Sequence, residues 1–230
     1  MPTTGAFLEA AGGLIAACLL GAIPFGYLAG RLRGIDVRTV GSGNIGATNV
    51  GRALGKPIGI TVFMLDVAKG WAATGPLAWL VLRLGEVPQD TLFYHGLGPL
   101  YALAACAGHV WTPFLGWRGG RGVATALGAL LAVAPLPGVI GLALWALLAA
   151  VFRYVSLASM IAVVATAGVA VWLAHKEGVL YTKWPVWGMT VALAGLIIVR
   201  HRANLGRLLK GQEPKIGRRP PAAGHQETNP

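Results

Sequence analysis

Seven apolar runs, separated by short and mostly basic segments, leave this chain few ways to fold. They fall at about residues 6–29, 57–81, 95–115, 122–134, 138–152, 157–174 and 185–199. A helix needs ~20 predominantly apolar residues to cross a bilayer. The fourth and fifth runs fall short of that, and Pro135 and Pro137 between them fit a tight turn. Charge agrees with a lipid setting. Only 12% of the 230 residues are charged, against about a quarter in a soluble domain. The mean hydropathy is +0.64. The fold class read from this is all-α: a polytopic integral membrane protein with about seven transmembrane helices.

The basic residues set an orientation. With the N-terminus outside, 15 of the 19 Lys and Arg residues fall on the inner face. They cluster at Arg31 to Lys56, at Arg118 and Arg121, at Arg153, and from Arg200 to Arg219. The positive-inside rule therefore predicts seven spans, N-terminus outside and C-terminus cytoplasmic. Trp79, Trp111, Trp117, Trp184 and Trp187 lie near span ends, as interfacial aromatics do. The net charge of +11 is thus accounted for by topology, and no nucleic-acid module is needed. Met1 to Leu20 holds Glu9 and no Lys or Arg, which does not suit a secretory signal, so the first span reads as retained. Cys18 and Cys106 both sit in apolar stretches and read as small buried hydrophobes, with neither a disulfide nor a metal expected. Residues 1–218 read as one transmembrane domain and 219–230, rich in Pro, Ala, Gly and polar residues, as a disordered cytoplasmic tail.

Against this background the stretch Gly41-Ser42-Gly43-Asn44-Ile45-Gly46-Ala47-Thr48-Asn49-Val50-Gly51-Arg52 is anomalous. It has four glycines, four short polar side chains, one arginine and no carboxylate. Glycine lets backbone N–H groups converge, and Ser, Thr and Asn add short donors, so the loop suits an anion, phosphate above all. Gly41, Gly43 and Gly46 satisfy G-x-G-x-x-G, but a membrane span and a basic turn precede them, so a dinucleotide site is rejected. Ala47 stands where a P-loop would place its lysine.

Two further stretches carry chemistry. Gly108-His109-Val110-Trp111-Thr112-Pro113-Phe114-Leu115-Gly116-Trp117-Arg118-Gly119-Gly120-Arg121-Gly122-Val123-Ala124-Thr125 puts two guanidinium groups and free N–H groups at the start of a helix. The stretch Arg200-His201-Arg202-Ala203-Asn204, continuing through Arg207 and Glu213, places His201 and Asn204 on one helix face. His201 can bind phosphate as imidazolium or serve as a base. Asp66 and Lys69, also three apart but inside a span, read as an internal ion pair that positions the helix, with a substrate role as the alternative. His109 reads as a structural hydrogen-bonding group. The chain has no G-x-S-x-G, no H-E-x-x-H and no His-x4-Asp. An enzyme built from it has no obvious Ser, Cys or Asp nucleophile.

Three stretches in this order, Gly-Ser-Gly-Asn-Ile-Gly-Ala-Thr-Asn-Val, then Gly-His-Val-Trp-Thr-Pro-Phe-Leu with Arg-Gly-Gly-Arg-Gly-Val-Ala-Thr, then Glu-Pro-Lys-Ile-Gly, closely resemble the bacterial acyl-phosphate:glycerol-3-phosphate acyltransferase family (PlsY type). Leu65-Asp66-Val67-Ala68-Lys69-Gly70 is similar to a fourth family stretch, and the match spans about residues 20–218. The resemblance implies a seven-span inner-membrane enzyme with its site facing the cytoplasm. It implies transfer of a fatty acyl group from acyl phosphate to the sn-1 hydroxyl of glycerol 3-phosphate, giving lysophosphatidic acid, with no cofactor. It implies that Ser42, Asn44, Thr48 and Asn49, with the loop glycines Gly43 and Gly46, contact the two phosphates. Arg52 corresponds to a phosphate-binding arginine, and His201 and Asn204 to polar site residues. Arg118 and Arg121 stand where the family commonly has Lys-Gly-Gly-Lys-Gly, a change that keeps charge and alters geometry. Ser42, Asn44, Thr48, Arg121, His201 and Asn204 are therefore expected to be catalytic. Ser42, Gly43, Gly46, Thr48, Asn49, Arg52, Arg118, Arg121 and His201 are expected to bind the partners, glycerol 3-phosphate and long-chain acyl phosphate. A transporter of phosphorylated metabolites is the competing class, with Asp66 and Lys69 its best feature. No inverted repeat supports it. A membrane scaffold leaves the glycine loop unexplained.

Overall fold

The structure, a computed structural model, describes residues 3–88 and 92–217. The expected tail, 219–230, lies outside the described residues. All regular structure among the described residues is helical. Charge-poor, apolar sequence must satisfy its own backbone groups in lipid, and the helix does so within one segment.

The first apolar run forms two helices, α1 (Thr4–Ala22) and α2 (Phe25–Arg31). Pro24 supplies no N–H and clashes with the preceding turn, so the ladder stops there. Two side chains cover the carbonyls freed at the break. Thr112 Oγ1 donates to Ala22 O at 2.8 Å and Lys69 Nζ donates to Ile23 O at 2.7 Å. The second run is likewise broken, at Gly75–Pro76, after α3 (Ala47–Leu54) and α4 (Lys56–Thr74) and before α5 (Pro76–Leu84). The helix is thus interrupted once within each of these two runs.

Next come α6 (Leu92–Val110), a 3₁₀ turn (Pro113–Leu115), α7 (Val123–Val133), α8 (Pro135–Phe152), α9 (Val155–Lys176), α10 (Trp184–Arg200) and α11 (Arg202–Leu209). Pro135 and Pro137 do not form a separate turn. They open α8, where a missing N–H costs least. Thr4–Arg31, Pro135–Phe152 and Val155–Lys176 are long and apolar enough to cross a membrane, and α10 and α11 together form a fourth candidate bent by 57°. Helix α7, with 11 residues, is only ~16 Å long.

The packing has the polarity of a membrane bundle. Small residues fill the interior: Ala17, Ala73, Ala102, Ala105, Ala129 and Ala158 are fully buried. Large ones such as Leu8, Ile15, Trp79, Leu147, Val151 and Trp172 face outward. Glycines allow the closest approaches. A Cβ on Gly21 would meet Ala105 O, one on Gly108 would meet Cys18 O, and these bring α1 against α6. Gly70 and Gly128 do the same for α4 and α7, facing Thr125 O and Val67 O. Small-residue contacts of this kind let van der Waals packing hold helices together where lipid removes the hydrophobic driving force.

Candidate active site

The loop between α2 and α3 is folded by Asn49, which is 2% exposed. Its Nδ2 donates to Val37 O at 2.9 Å and Val40 O at 3.0 Å, and its Oδ1 accepts from Ser42 N at 2.9 Å. Gly41 and Gly43 take positive φ of 59° and 67°, as this tight course requires. Asn44 Oδ1 accepts from Gly46 N at 2.8 Å, just before α3 begins. The first turn of α3 therefore presents its N-terminal N–H groups and Thr48 beside Ser42.

This loop forms one wall of a cleft enclosing ≈ 810 Å³ of empty space, its open mouth included. Ser42, Asn44, Gly46, Thr48, Asn49, Arg52, Arg121, His201 and Asn204 all line it. Segments as far apart in sequence as Ser42 and Asn204 are thus brought to one surface. Gly43 and Arg118 are not on the lining. Gly43 turns the loop, with its N–H donated to Val40 O at 3.0 Å, while Arg118 belongs to the turn that leads to Arg121. Asn49 lines the cleft, but its amide is engaged in shaping the loop.

Three arginines, Arg52, Arg121 and Arg207, share the cleft. Burial lowers the pKa of Arg121, Glu213 opposes that, and the cations of Arg207, Arg200 and Arg52 add to it. An arginine stays charged nonetheless, so the cleft holds a concentration of positive charge ready for anions. His201 is 2% exposed, and its Nδ1 lies 2.8 Å from Ile197 O. That contact assigns the proton to Nδ1 and leaves the Nε2 lone pair available. Burial pulls its pKa down to about 4, the Ile197 carbonyl opposes the shift, and Arg121 reinforces it. Its surroundings therefore favour the neutral ring over the imidazolium.

Residues beyond those anticipated complete the site. Glu213 accepts from Ser156 Oγ at 2.7 Å, Asn204 Nδ2 at 2.6 Å and Arg207 Nε at 2.8 Å. The strap that carries it crosses the cleft, with Arg52 Nη2 donating to Pro214 O at 3.2 Å. At its far end Arg153 Nη2 donates to Ile216 O at 2.7 Å and Ile216 N donates back to Arg153 O at 2.8 Å. Glu213 was visible only as part of the Glu-Pro-Lys-Ile-Gly stretch, and Ser156 had no local signal. Phe63, Val123, Trp145 and Ser159 line both this cleft and an adjoining apolar one formed by α7, α8, α9 and α10. The second cleft is walled by Ala126, Leu130, Leu142, Val163 and Ile197 among others, and holds ≈ 470 Å³ of empty space. A cationic chamber opening into a greasy branch suits an anion with a long apolar tail.

A helical bundle of small-residue contacts, with this cleft at the start of α3 and α7, has known counterparts. The glycerol-3-phosphate acyltransferase family model matches residues 11–211. Relatives called glycerol-3-phosphate acyltransferase include those of Trichlorobacter lovleyi, 42% identical over 200 residues (87% of this chain, 94% of the relative), and Aquifex aeolicus, 40% identical over 203 residues (88% and 97%). The fold is similar to crystal structures of PlsY (YgiH), an integral membrane glycerol 3-phosphate acyltransferase. Its glycerol 3-phosphate form superposes with a TM-score of 0.77 at 38% identity, covering 90% of this chain and 96% of that one. Its lysophosphatidic acid form gives 0.75 at the same identity. The chain belongs to the glycerol-3-phosphate acyltransferase family.

Proposed function

We propose that this protein transfers a fatty acyl group from acyl phosphate to the sn-1 hydroxyl of glycerol 3-phosphate, releasing lysophosphatidic acid and phosphate. The observation that carries this reading is the junction of the cationic cleft with the apolar one at Phe63, Val123 and Trp145. A phosphorylated polyol fits the first, an acyl tail fits the second, and the acyl carbonyl falls where they meet. That relatives carry the name glycerol-3-phosphate acyltransferase supports the acceptor.

Acyl phosphate is an activated donor, so the reaction proceeds by direct attack. The glycerol oxygen forms the new ester bond to the acyl carbon, the bond from that carbon to the phosphate oxygen breaks, and the electron pair leaves with phosphate. The hydroxyl proton passes to a phosphate oxygen of the substrate. Holding both reactants in line supplies ~7–11 kcal/mol of the barrier. Arg52 and Arg121, with Ser42, Thr48 and the N–H groups at the start of α3, bind phosphate and stabilise charge on the leaving group. His201 and Asn204 orient the polar atoms between them. Binding a phosphate beside His201 offsets the nearby arginines and raises its proton affinity.

The membrane arrangement proposed is seven crossings, N-terminus outside, with the cleft facing the cytoplasm of a cell (inner) membrane. Two charges support it: Arg52 and Arg121 share the cleft with Arg207 of the basic C-terminal segment, the side the positive-inside rule assigns to the cytoplasm. The test uses purified protein in detergent with glycerol 3-phosphate and either palmitoyl phosphate or palmitoyl-CoA. Lysophosphatidic acid from the phosphate donor alone is the expected result. Product from the thioester alone overturns the donor assignment, and product from neither overturns the enzyme reading.

A further inference from the structure

The cleft has two buried groups that a purely cationic phosphate site does not need. Asp66 and His109, 3% and 5% exposed, lie on the lining among the donors already described. Phosphate oxygens accept hydrogen bonds, so a carboxylate beside them is unfavourable unless it serves another part of the ligand. Asp66 Oδ1 faces Lys69 Nζ at 2.7 Å as an ion pair and has no further partner among the described residues, which leaves it acceptor capacity. His109 Nδ1 has no hydrogen-bond partner among the described residues. The two atoms are 3.8 Å apart. That is too long for a direct hydrogen bond and wide enough for one oxygen to bridge, at ~2.8 Å from each.

The setting of this notch is rigid. Lys69 is fixed by its bond to Ile23 O, at 2.7 Å, in the break between α1 and α2. The opposite side of the His109 ring is closed by Gly120, where any Cβ would collide with Nε2. Only the Nδ1 edge of that ring is left for a ligand. Asp66 also lies three residues beyond Phe63 on α4, so both share a helix face. Phe63 lines the junction with the apolar branch. A group held at Asp66 therefore sits one helical turn from where the acyl carbonyl must arrive.

We propose that Asp66 and His109 recognise the secondary hydroxyl of the glycerol backbone and thereby select a vicinal diol phosphate as acceptor. The hydroxyl donates to the Asp66 carboxylate and accepts from His109 Nδ1–H. This fixes the rotation of the glycerol chain and turns the terminal hydroxyl toward the acyl junction. The inference rests on glycerol 3-phosphate being the acceptor, and it adds the residues that read its carbon backbone.

The test compares glycerol 3-phosphate with 3-hydroxypropyl phosphate, which keeps the phosphate and the terminal hydroxyl and lacks only the secondary one. Palmitoyl phosphate is the donor throughout. A hydrogen bond to a charged group makes the expected wild-type preference in kcat/KM roughly 10- to 100-fold. Where 3-hydroxypropyl phosphate turns over too slowly, its inhibition constant against glycerol 3-phosphate supplies the same ratio. Two variants are measured. His109→Gln removes the ring without removing charge. Asp66→Asn combined with Lys69→Met removes both members of the buried pair, so that neither charge is stranded. Each is expected to reduce the ratio to roughly 1–3, by losing activity with glycerol 3-phosphate and little with 3-hydroxypropyl phosphate. Equal losses on both acceptors, in protein that remains folded, overturn the inference and leave a structural role. A wild-type ratio near 1 overturns it as well. Absence of acyl transfer to either acceptor by the wild type overturns the underlying acyltransferase reading instead.

Discussion

Asn204 on α11 and Glu213 on the strap that follows are joined by a hydrogen bond of 2.6 Å, and through it the C-terminal segment becomes part of the cleft. The same carboxylate also takes Ser156 and Arg207, so one buried acceptor ties three elements together. Replacing Glu213 by Ala leaves those donors without a partner. The expected cost is about 2–3 kcal/mol, read as a lower melting temperature in detergent, together with a loss of activity. Glu213→Gln keeps one acceptor oxygen and should fall between the two.

That carboxylate also predicts an acid limit. Burial raises the pKa of Glu213, but its hydrogen bonds from Ser156, Asn204 and Arg207 outweigh burial and hold it below the usual 4.5. A folded-state pKa below the unfolded one gives stability that is complete above the unfolded value and is lost as pH falls through the folded one. His201 acts in a higher window. Its pKa is about 4 when folded, against 6.5 ordinarily. Between those values the unfolded chain binds the extra proton, so stability declines as pH drops from 6.5 toward 4. Melting temperatures across pH 4 to 8 should show this slope in the wild type and a weaker one in His201→Gln. An unchanged slope contradicts the assignment.

Arg52 and Arg121 should contribute differently. Arg121→Ala removes a partly buried guanidinium from the cleft, with an expected loss on the order of 100-fold in kcat/KM. Arg52 also donates to Pro214 O at 3.2 Å, so Arg52→Ala should loosen the strap and raise KM for glycerol 3-phosphate. Arg118→Ala, off the lining, should leave both parameters within about twofold.

The glycine interfaces carry a separate prediction about stability. A Cβ at Gly128 would collide with Val67 O, a backbone atom that cannot swing aside. Gly128→Ala must push α7 from α4 and should cost about 1–3 kcal/mol. Gly168, on α9, meets nothing within 4 Å, and Gly168→Ala should be neutral or mildly stabilising. Thermal unfolding of the pair checks this.

Much of the cleft could be read from residue types alone. The glycines and short polar residues from Gly41 to Asn49 mark this wall in the sequence, although Gly41, Gly43 and the Asn49 amide shape the loop and do not offer free donors. What escaped depends on distance in sequence. Glu213 sits among basic residues and reads locally as a solvated charge; its burial follows from the strap folding back onto Ser156 and Asn204. The breaks at Pro24 and Gly75 leave no mark on hydropathy, which runs smoothly through them, and proline is tolerated within membrane spans. Arg118 and Arg121 could not be separated. Left-handed residues at Gly116, Trp117 and Gly122 bend that segment, so no helical period says which arginine turns inward. Asp66 pairs with Lys69 at 2.7 Å, as their spacing predicts, but its position on the cleft lining depends on where α4 lies against α6.

Direct transfer without a protein nucleophile is tested most directly by intact-protein mass spectrometry. The purified protein is incubated with palmitoyl phosphate, first without acceptor and then with glycerol 3-phosphate, while products are followed in parallel. An unmodified protein mass is expected in both conditions, with lysophosphatidic acid only after acceptor is added. A palmitoyl adduct that forms on the protein without acceptor, and disappears as product forms when glycerol 3-phosphate arrives, would contradict direct transfer.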